Sequence, residues 1–209
     1  MASPCILLSG FEPFDCESVN PSWLVAQALH GRRVGGARVV SVCLPCVFDE
    51  ASGALVQAVR RHQPLLVLAL GQGGGRAALS MERVAINVVD ARIPDNAGAQ
   101  PVDSPVVPGA PTAYFATLPL KAMLQALRDA GVPGEVSQSA GTFVCNHVFF
   151  ALMHALATTS PDRARAGFMH LPWLPEQAAR RAGSPPSLPL ATQVEGTRAV
   201  LKAALAAGA

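Results

Sequence analysis

Short apolar runs alternate with helix-length segments in the first third of the chain. Three of these runs are typical of buried strands: residues 5–9 (CILLS), 37–44 (ARVVSVCL) and 64–70 (PLLVLAL). Between the first two runs, Asn20 and Pro21 predict a helix start, because Asn caps helices well and Pro fits the first helical position. This helix is expected to end at Gly31. Asp49 is expected to cap a second helix, which runs to about His62.

The rest of the chain continues the alternation around two irregular segments. The predicted elements are strands at residues 83–92, 135–139 and 167–171, and helices at 118–130, 145–158 and 192–206. Residues 94–111 and the Pro-rich stretch after residue 171, through 189, predict loops. Strands separated by helices indicate βαβ units. The pattern therefore predicts one α/β domain over residues 1–209, a three-layer α/β/α sandwich with a mostly parallel mixed sheet.

Composition removes several classes of function. Half of the 209 residues are apolar, 14% are charged, and the net charge is +2. This balance argues against nucleic-acid binding, membrane-surface binding and disorder. Apolar stretches are too short for a membrane span, and the N-terminal one is too short for a secretion signal. The five cysteines are odd in number, so we expect no disulfide framework and a soluble cytoplasmic protein.

Two residues near predicted strand ends are candidates for nucleophilic chemistry. Cys145 is predicted at the start of a helix, where backbone N–H groups and the helix dipole stabilise a thiolate. His170 ends a predicted strand and is available as its base. Each also has an ordinary interpretation: Cys145 as a small buried residue, and His170 as a structural histidine. The third member of such a triad stays open among four acidic residues: Glu82, Asp90, Asp95 and Asp103.

Two other motifs compete with this pair. Cys43 and Cys46 form a CxxC with an intervening proline, which is found in thiol–disulfide redox proteins, although Val47 and Phe48 delay the following helix. The glycine-rich turn at residues 71–76 (GQGGGR) lacks the Lys-Ser/Thr of a phosphate-binding loop and the glycine spacing of a dinucleotide-binding one. No histidine or cysteine spacing of a metal site is found, so we expect neither a metal nor a cofactor.

Seven segments together resemble the pyroglutamyl peptidase type I family of cysteine peptidases, also called pyrrolidone-carboxylate peptidases. They occur in that family's order along most of the chain: GFEPF (10–14), NPSW (20–23), GQGGGR (71–76), ERVAIN (82–87), ARIPDNAG (91–98), GTFVCNH (141–147) and HLPWLPEQ (170–177). The resemblance implies hydrolysis of an N-terminal pyroglutamyl residue from peptides without cofactor or metal. It assigns Cys145 as nucleophile, His170 as general base and acid, and Glu82 as the third member.

The resemblance also suggests how the substrate is held. Pyroglutamate is a lactam without a charged amine, so its site needs apolar walls and a few hydrogen bonds. Three aromatic residues and their neighbour in the matched segments are the predicted walls: Phe11, Phe14, Phe143 and Val144. Gln72 is expected to bond the lactam. The backbone N–H of Cys145 and Arg92, through its side chain or backbone, are expected to hold the oxyanion. Family members are often homo-oligomers, commonly tetramers.

The first pocket loop departs from the family pattern. Asp15 and Cys16 stand where the family often has glycines, and neither adopts positive φ as easily as glycine does. We therefore expect a loop of different shape, with an effect on substrate affinity. Cys43 and Cys46 are not a family signature and are expected to be bystanders in a peptidase.

Overall fold

A seven-stranded sheet forms the centre of the protein. The computed structural model describes residues 4–159 and 164–207. In chain order, the strands of this sheet are β1 (Cys5–Phe11), β2 (Arg33–Val34), β3 (Ala37–Leu44), β4 (Leu66–Gln72), β5 (Leu79–Glu82), β8 (Gly134–Ser137) and β9 (Arg165–Leu171). Their spatial order is β2-β3-β1-β4-β9-β5-β8. A separate two-stranded sheet pairs β6 (Val84–Ile86) with β7 (Ala113–Phe115).

The central sheet is mixed but mostly parallel. Strands β3, β1, β4 and β9 run parallel to one another, and β8 runs parallel to β5. Strand β5 is antiparallel to β9, and β2 is antiparallel to β3. The reversal between β5 and β9 matters for the chemistry, because the carboxyl end of β9 lies beside the first half of β5.

Helices cover both faces of the sheet. They are α1 (Pro21–Leu29), α2 (Phe48–His62), α3 (Leu120–Asp129), α4 (Val144–Thr159), α5 (Pro175–Ala178) and α6 (Leu190–Ala206). One apolar core joins the sheet to α1, α3 and α6, and a second joins it to α2 and α4. The predicted α/β class and the mostly parallel sheet are confirmed. None of the helices within the described residues is both long and apolar enough to span a membrane.

The start of α1 agrees with prediction and the start of α2 does not. Asn20 accepts a hydrogen bond from the Ser22 N–H at 3.0 Å, and Pro21 begins the helix. The expected cap of α2, Asp49, lies inside that helix, with its side chain exposed. The Phe48 N–H instead donates to Asp95 Oδ2 at 3.2 Å, from a distant loop. The local sequence could not predict this cap of α2, because Asp95 is 47 residues away from Phe48.

The predicted strand at residues 83–92 is wrong. The chain forms β5 before it and β6 within it, and these two strands belong to different sheets. The long loop between β6 and β7 is irregular, as predicted. It is tied back by a bridge between Val89 and Ser104 and by the Asn87 side chain, which bonds Val107 in both directions. The short elements β2, β7 and α5 were not predicted.

Candidate active site

A buried carboxylate–imidazole pair lies where β9 and β5 run antiparallel. Ser80 is paired with His170 and Glu82 with Phe168, so all four side chains share one face of the sheet. His170 Nδ1 lies 2.7 Å from Glu82 Oε1. Because a carboxylate only accepts hydrogen bonds, this contact places the imidazole proton on Nδ1 and leaves Nε2 as a proton acceptor. Glu82 is fully buried and His170 is 5% exposed.

The other acidic candidates lie elsewhere. Asp95 accepts backbone hydrogen bonds from Phe48, Ala97 and Ala99, which fixes the loop around it. Asp90 is exposed, and Asp103 lies in the long loop with φ +41°. Of the four candidates left open by the sequence, the structure brings only Glu82 to His170.

A residue without a predicted role completes this polar cluster. Arg76, the last residue of the glycine-rich turn, places Nη2 3.0 Å from Glu82 Oε1, the oxygen that His170 also contacts. The motif contained this arginine, but spacing gave no sign that its side chain returns to a carboxylate. A basic residue in a loop at the carboxyl end of a strand was the one available signal.

Cys145 is the second residue of α4 and lies against β4. A Cβ atom added to Gly71 would lie 2.8 Å from Cys145 Sγ, so the thiol is packed directly on this glycine. Gly71 is paired with His170 in the neighbouring strand. The thiol and the imidazole therefore share one face of the sheet. The hydrogen bonds found among the described residues do not include one between them, as is common before substrate binds.

Burial decides the protonation state of this pair. It raises the pKa of the Cys145 thiol above its ordinary value, and the smaller influences of Cys46 and Glu82 act in the same direction. Arg76 and the backbone N–H of Cys145 lower it by less. Burial also lowers the pKa of His170 despite its contact with Glu82. The expected thiolate at the helix start is thus corrected: without substrate, burial favours a neutral thiol and a neutral imidazole.

Aromatic side chains line the region in front of α4. Phe143 lies 6.2 Å from Phe14 and 5.3 Å from Phe48, measured between ring centroids. Phe11 and Val144 are buried in the same apolar core. Four predicted wall residues therefore come together, and the structure adds Phe48 to them.

Gln72 has a different environment from the one expected. It follows Gly71 in β4, so its side chain points to the opposite face of the sheet from Cys145. Its Oε1 accepts a hydrogen bond from Gln177 Nε2 at 2.9 Å. Gln177 is itself fixed, because its Oε1 accepts from the Leu174 N–H. The Gln72 oxygen is therefore occupied, and its amide group offers donors.

Arg92 is exposed and lies close in sequence to a segment that contacts the turn before α4. The Asp90 N–H donates to the Thr142 carbonyl at 3.0 Å, and the Thr142 hydroxyl donates to the Asp90 carbonyl at 2.8 Å. Among the described residues, no hydrogen bond or ion pair involves the Arg92 side chain. The segment is thus anchored at Asp90, two residues before the exposed Arg92.

The first pocket loop keeps a glycine-like backbone without glycine. Asp15 has φ +53° and Cys16 has φ +60°, both in the left-handed region. Both residues therefore adopt the positive φ that we expected to be difficult for them, and the effect of this loop on substrate affinity stays a prediction. Glu12 holds the loop to its neighbours, because its Oε1 accepts from the Cys46 N–H and from Asn96 Nδ2.

The environment of the CxxC motif does not support a redox site. Cys43 is exposed on β3 and Cys46 is buried after it. Burial, with Glu12 and Asp95, raises the pKa of Cys46 to about 12, and burial also raises the pKa of Cys43. A redox-active CxxC requires the opposite shift. Among residues 4–159 and 164–207, no group of three or more His, Cys, Asp or Glu side chains is placed to hold a metal ion.

Comparisons with known proteins agree with this geometry. The pyroglutamyl peptidase family model matches residues 5–207. The pyrrolidone-carboxylate peptidase of Cupriavidus taiwanensis is 57% identical over 202 residues, covering 97% of this chain and 93% of the relative. That of Klebsiella pneumoniae is 54% identical over 200 residues, covering 96% and 92%.

Solved structures give the same result. The crystal structure of pyroglutamyl peptidase I from Bacillus amyloliquefaciens superposes with a TM-score of 0.93 at 42% identity, covering 97% of each chain. A variant of pyrrolidone carboxyl peptidase from the hyperthermophile Pyrococcus furiosus superposes with a TM-score of 0.93 at 39% identity, covering 98% of this chain and 99% of that one. The likeness extends over nearly the whole fold in both cases.

Proposed function

The chain belongs to the pyroglutamyl peptidase family, and we propose that Cys145, His170 and Glu82 carry out its reaction. The protein is a cysteine peptidase that removes the N-terminal pyroglutamyl residue from peptides. One observation supports the residue assignment above all others. Glu82 on β5 contacts His170 on β9 at 2.7 Å, and His170 is paired with Gly71 of β4, against which the Cys145 thiol packs.

The reaction starts from the neutral pair. Cys145 Sγ attacks the pyroglutamyl carbonyl carbon while its proton passes to His170 Nε2, and the carbonyl oxygen becomes an oxyanion. The imidazolium that forms is stabilised by the Glu82 carboxylate at Nδ1. This order of events suits the buried site, because neither the thiol nor the imidazole has to be charged beforehand, and charge develops on the carbonyl oxygen and the imidazole only as the carbon–sulfur bond forms.

Two donors are assigned to the oxyanion. The backbone N–H of Cys145 lies near its own sulfur at the start of α4, where the helix dipole favours negative charge. Arg92 is the second, since its loop is bonded to Thr142 in the turn before the helix. A donor of this kind contributes roughly 3 kcal/mol to transition-state stability.

The remaining steps complete the hydrolysis. The tetrahedral intermediate collapses, the carbon–nitrogen bond breaks, and His170 gives its proton to the leaving amine. A pyroglutamyl thioester remains on Cys145. Water then attacks the thioester carbonyl while His170 takes one of its protons. The carbon–sulfur bond breaks, and His170 returns that proton to Cys145 Sγ. Pyroglutamate and the shortened peptide are the products.

Selectivity for the lactam follows from the walls of the site. Phe14, Phe143 and Phe48 offer apolar ring contacts, with Phe11 and Val144 behind them. A charged N-terminal amine would lose its hydration against these walls, whereas the uncharged lactam does not. Gln72, which the resemblance led us to expect at the lactam, is not assigned to it, because its side chain leaves β4 on the face opposite Cys145 and its oxygen accepts from Gln177.

The assignment is tested by release of a fluorescent amine from its pyroglutamyl amide under reducing conditions. We expect turnover by the wild type and none by Cys145→Ala or on a prolyl amide, which lacks the lactam carbonyl. Cys43→Ser is the matched control and should keep full activity, because Cys43 is exposed on β3 away from α4. Turnover retained by Cys145→Ala would overturn the assignment of the nucleophile.

We further propose that the protein is cytoplasmic, consists of one domain and assembles into a homo-oligomer. All five thiols are free, a state that the reducing cytoplasm maintains. We take residues 1–209 as one peptidase domain that forms a homo-oligomer, with a tetramer as the expected state. Light scattering on the purified protein tests the assembly, and a monomeric mass would contradict it.

A further inference from the structure

We propose that Arg76 is a positioning residue that holds Glu82 in register with His170 and sets the pH range in which the catalytic pair works. The guanidinium and the imidazole share one oxygen of the carboxylate, at 3.0 and 2.7 Å from Glu82 Oε1. The other oxygen, Oε2, is buried and has no hydrogen-bond partner among the described residues. Arg76 and His170 therefore fix the carboxylate from two sides through Oε1.

The backbone is built to let the arginine reach this position. A Cβ atom on Gly73 would lie 2.8 Å from Arg76 Cδ, 3.0 Å from its Nε and 3.1 Å from His170 Cβ. The side chain of Arg76 thus passes over Gly73 directly beside His170. This close approach gives a physical reason for the glycine at position 73 in the turn.

Further contacts hold the guanidinium in place. Arg76 Nη2 donates to the Ser139 carbonyl at 3.3 Å, and Nη1 lies 3.9 Å from Glu135 Oε1. Glu135 is oriented in turn by the Ser80 hydroxyl, which donates to it at 2.6 Å. The arginine is therefore anchored on β5, on β8 and on the turn before α4, while a quarter of its side chain remains exposed.

The charge of Arg76 acts on both partners of the pair. His170 faces Glu82 from β5, Cys145 from α4 and Arg76 from the turn. Arg76 itself faces Glu135, and Cys145 also faces Cys46. A fully buried carboxylate alone would favour protonation of the imidazole and the thiol. Arg76 opposes this, and it lowers the pKa of both His170 and Cys145. Removing the arginine should therefore raise both pKa values together.

The test is the pH dependence of kcat/KM on a pyroglutamyl amide, and it rests on the proposed function. For Arg76→Gln we expect both limbs of the profile to move to higher pH by roughly 1 unit. Arg76→Lys keeps the charge but not the planar fork, so its limbs should stay near those of the wild type while kcat falls. Arg83→Gln is the matched control, because Arg83 bonds Gln138 at an exposed position. It should leave the profile unchanged.

A purely structural role for Arg76 would lower the height of the profile and leave both limbs in place, and that result would overturn the proposal. If Arg76→Gln fails to fold, Arg76→Lys alone decides, since a shift of its limbs contradicts a role based on charge. A substrate-free readout separates this inference from the proposed function. The rate of alkylation of Cys145 by iodoacetamide against pH should shift in Arg76→Gln whether or not the protein cleaves pyroglutamyl amides.

Discussion

Gly71→Ala should disable the enzyme through a single added methyl group. The new Cβ would lie 2.8 Å from Cys145 Sγ and 2.7 Å from Phe168 Cζ. An ordinary contact starts at 3.4 Å, so the thiol or the strand must move by at least 0.6 Å. Phe168 is buried in the apolar core and cannot give way easily. The backbone of β4 must therefore shift, and the distance between this strand and the thiol changes with it.

The size of the effect follows from this geometry. A nucleophile misplaced by a sizeable fraction of 1 Å loses roughly 10- to 100-fold in rate. Overpacking of a filled site also lowers the free energy of unfolding by roughly 1–3 kcal/mol. We therefore expect Gly71→Ala to remain folded below its lowered melting temperature, with kcat/KM reduced by at least roughly tenfold.

The assay compares amine release with thermal unfolding for two alanine variants. Gly53→Ala is the control, because a Cβ at this exposed position in α2 meets no atom within 4 Å. It should gain roughly 0.5–1 kcal/mol of stability and keep full activity. If Gly71→Ala is folded and its kcat/KM stays within twofold of the wild type, the Cys145 thiol is not where the reaction occurs.

Three further substitutions test the site and its frame. Glu82→Gln should lower kcat/KM by roughly 10³-fold or more, since it removes the charge that stabilises the imidazolium, while Glu176→Gln on the surface should not. Asp95→Ala should lower the free energy of unfolding in urea by roughly 1–3 kcal/mol, because three backbone N–H groups lose their acceptor. An equal decrease in Asp49→Ala would contradict the assignment of Asp95 as the cap of α2. Cys16→Gly should raise the melting temperature by relieving a left-handed backbone, whereas Cys43→Gly in a strand should lower it.

Local pattern identified most of the elements of the fold. The apolar runs that became β1, β3 and β4 and the Asn20 cap of α1 depend on neighbouring residues, so the sequence displays them directly. The strands around residue 83 could not be predicted from local pattern. Its β-branched residues suit any strand, and only tertiary pairing sends Glu82 to the central sheet and Val84 to the small one.

The third member of the candidate triad was predicted from the family resemblance, because the spacing of residues did not distinguish among the four acidic candidates. Position in the sequence could not distinguish Glu82 from the three aspartates as the partner of His170. Glu82 and His170 are 88 residues apart, and only the antiparallel pairing of β5 with β9 brings them together. The shift in the pKa of Cys145 was predicted with the wrong sign. The helix start was visible in the sequence, but the burial that outweighs it was not. Arg76 was missed for the same reason, as its contact depends on the fold.

The most direct test of the account is active-site labelling with a chloromethyl ketone that carries a pyroglutamyl group. The reagent combines the lactam that the walls should select with a carbon that only the catalytic thiol should attack. We predict loss of activity with one label per chain, located on Cys145 by peptide mass mapping and prevented by substrate. Label on Cys46 or Cys43 instead, or complete inactivation with Cys145 unmodified, would contradict the assignment of Cys145 as the nucleophile.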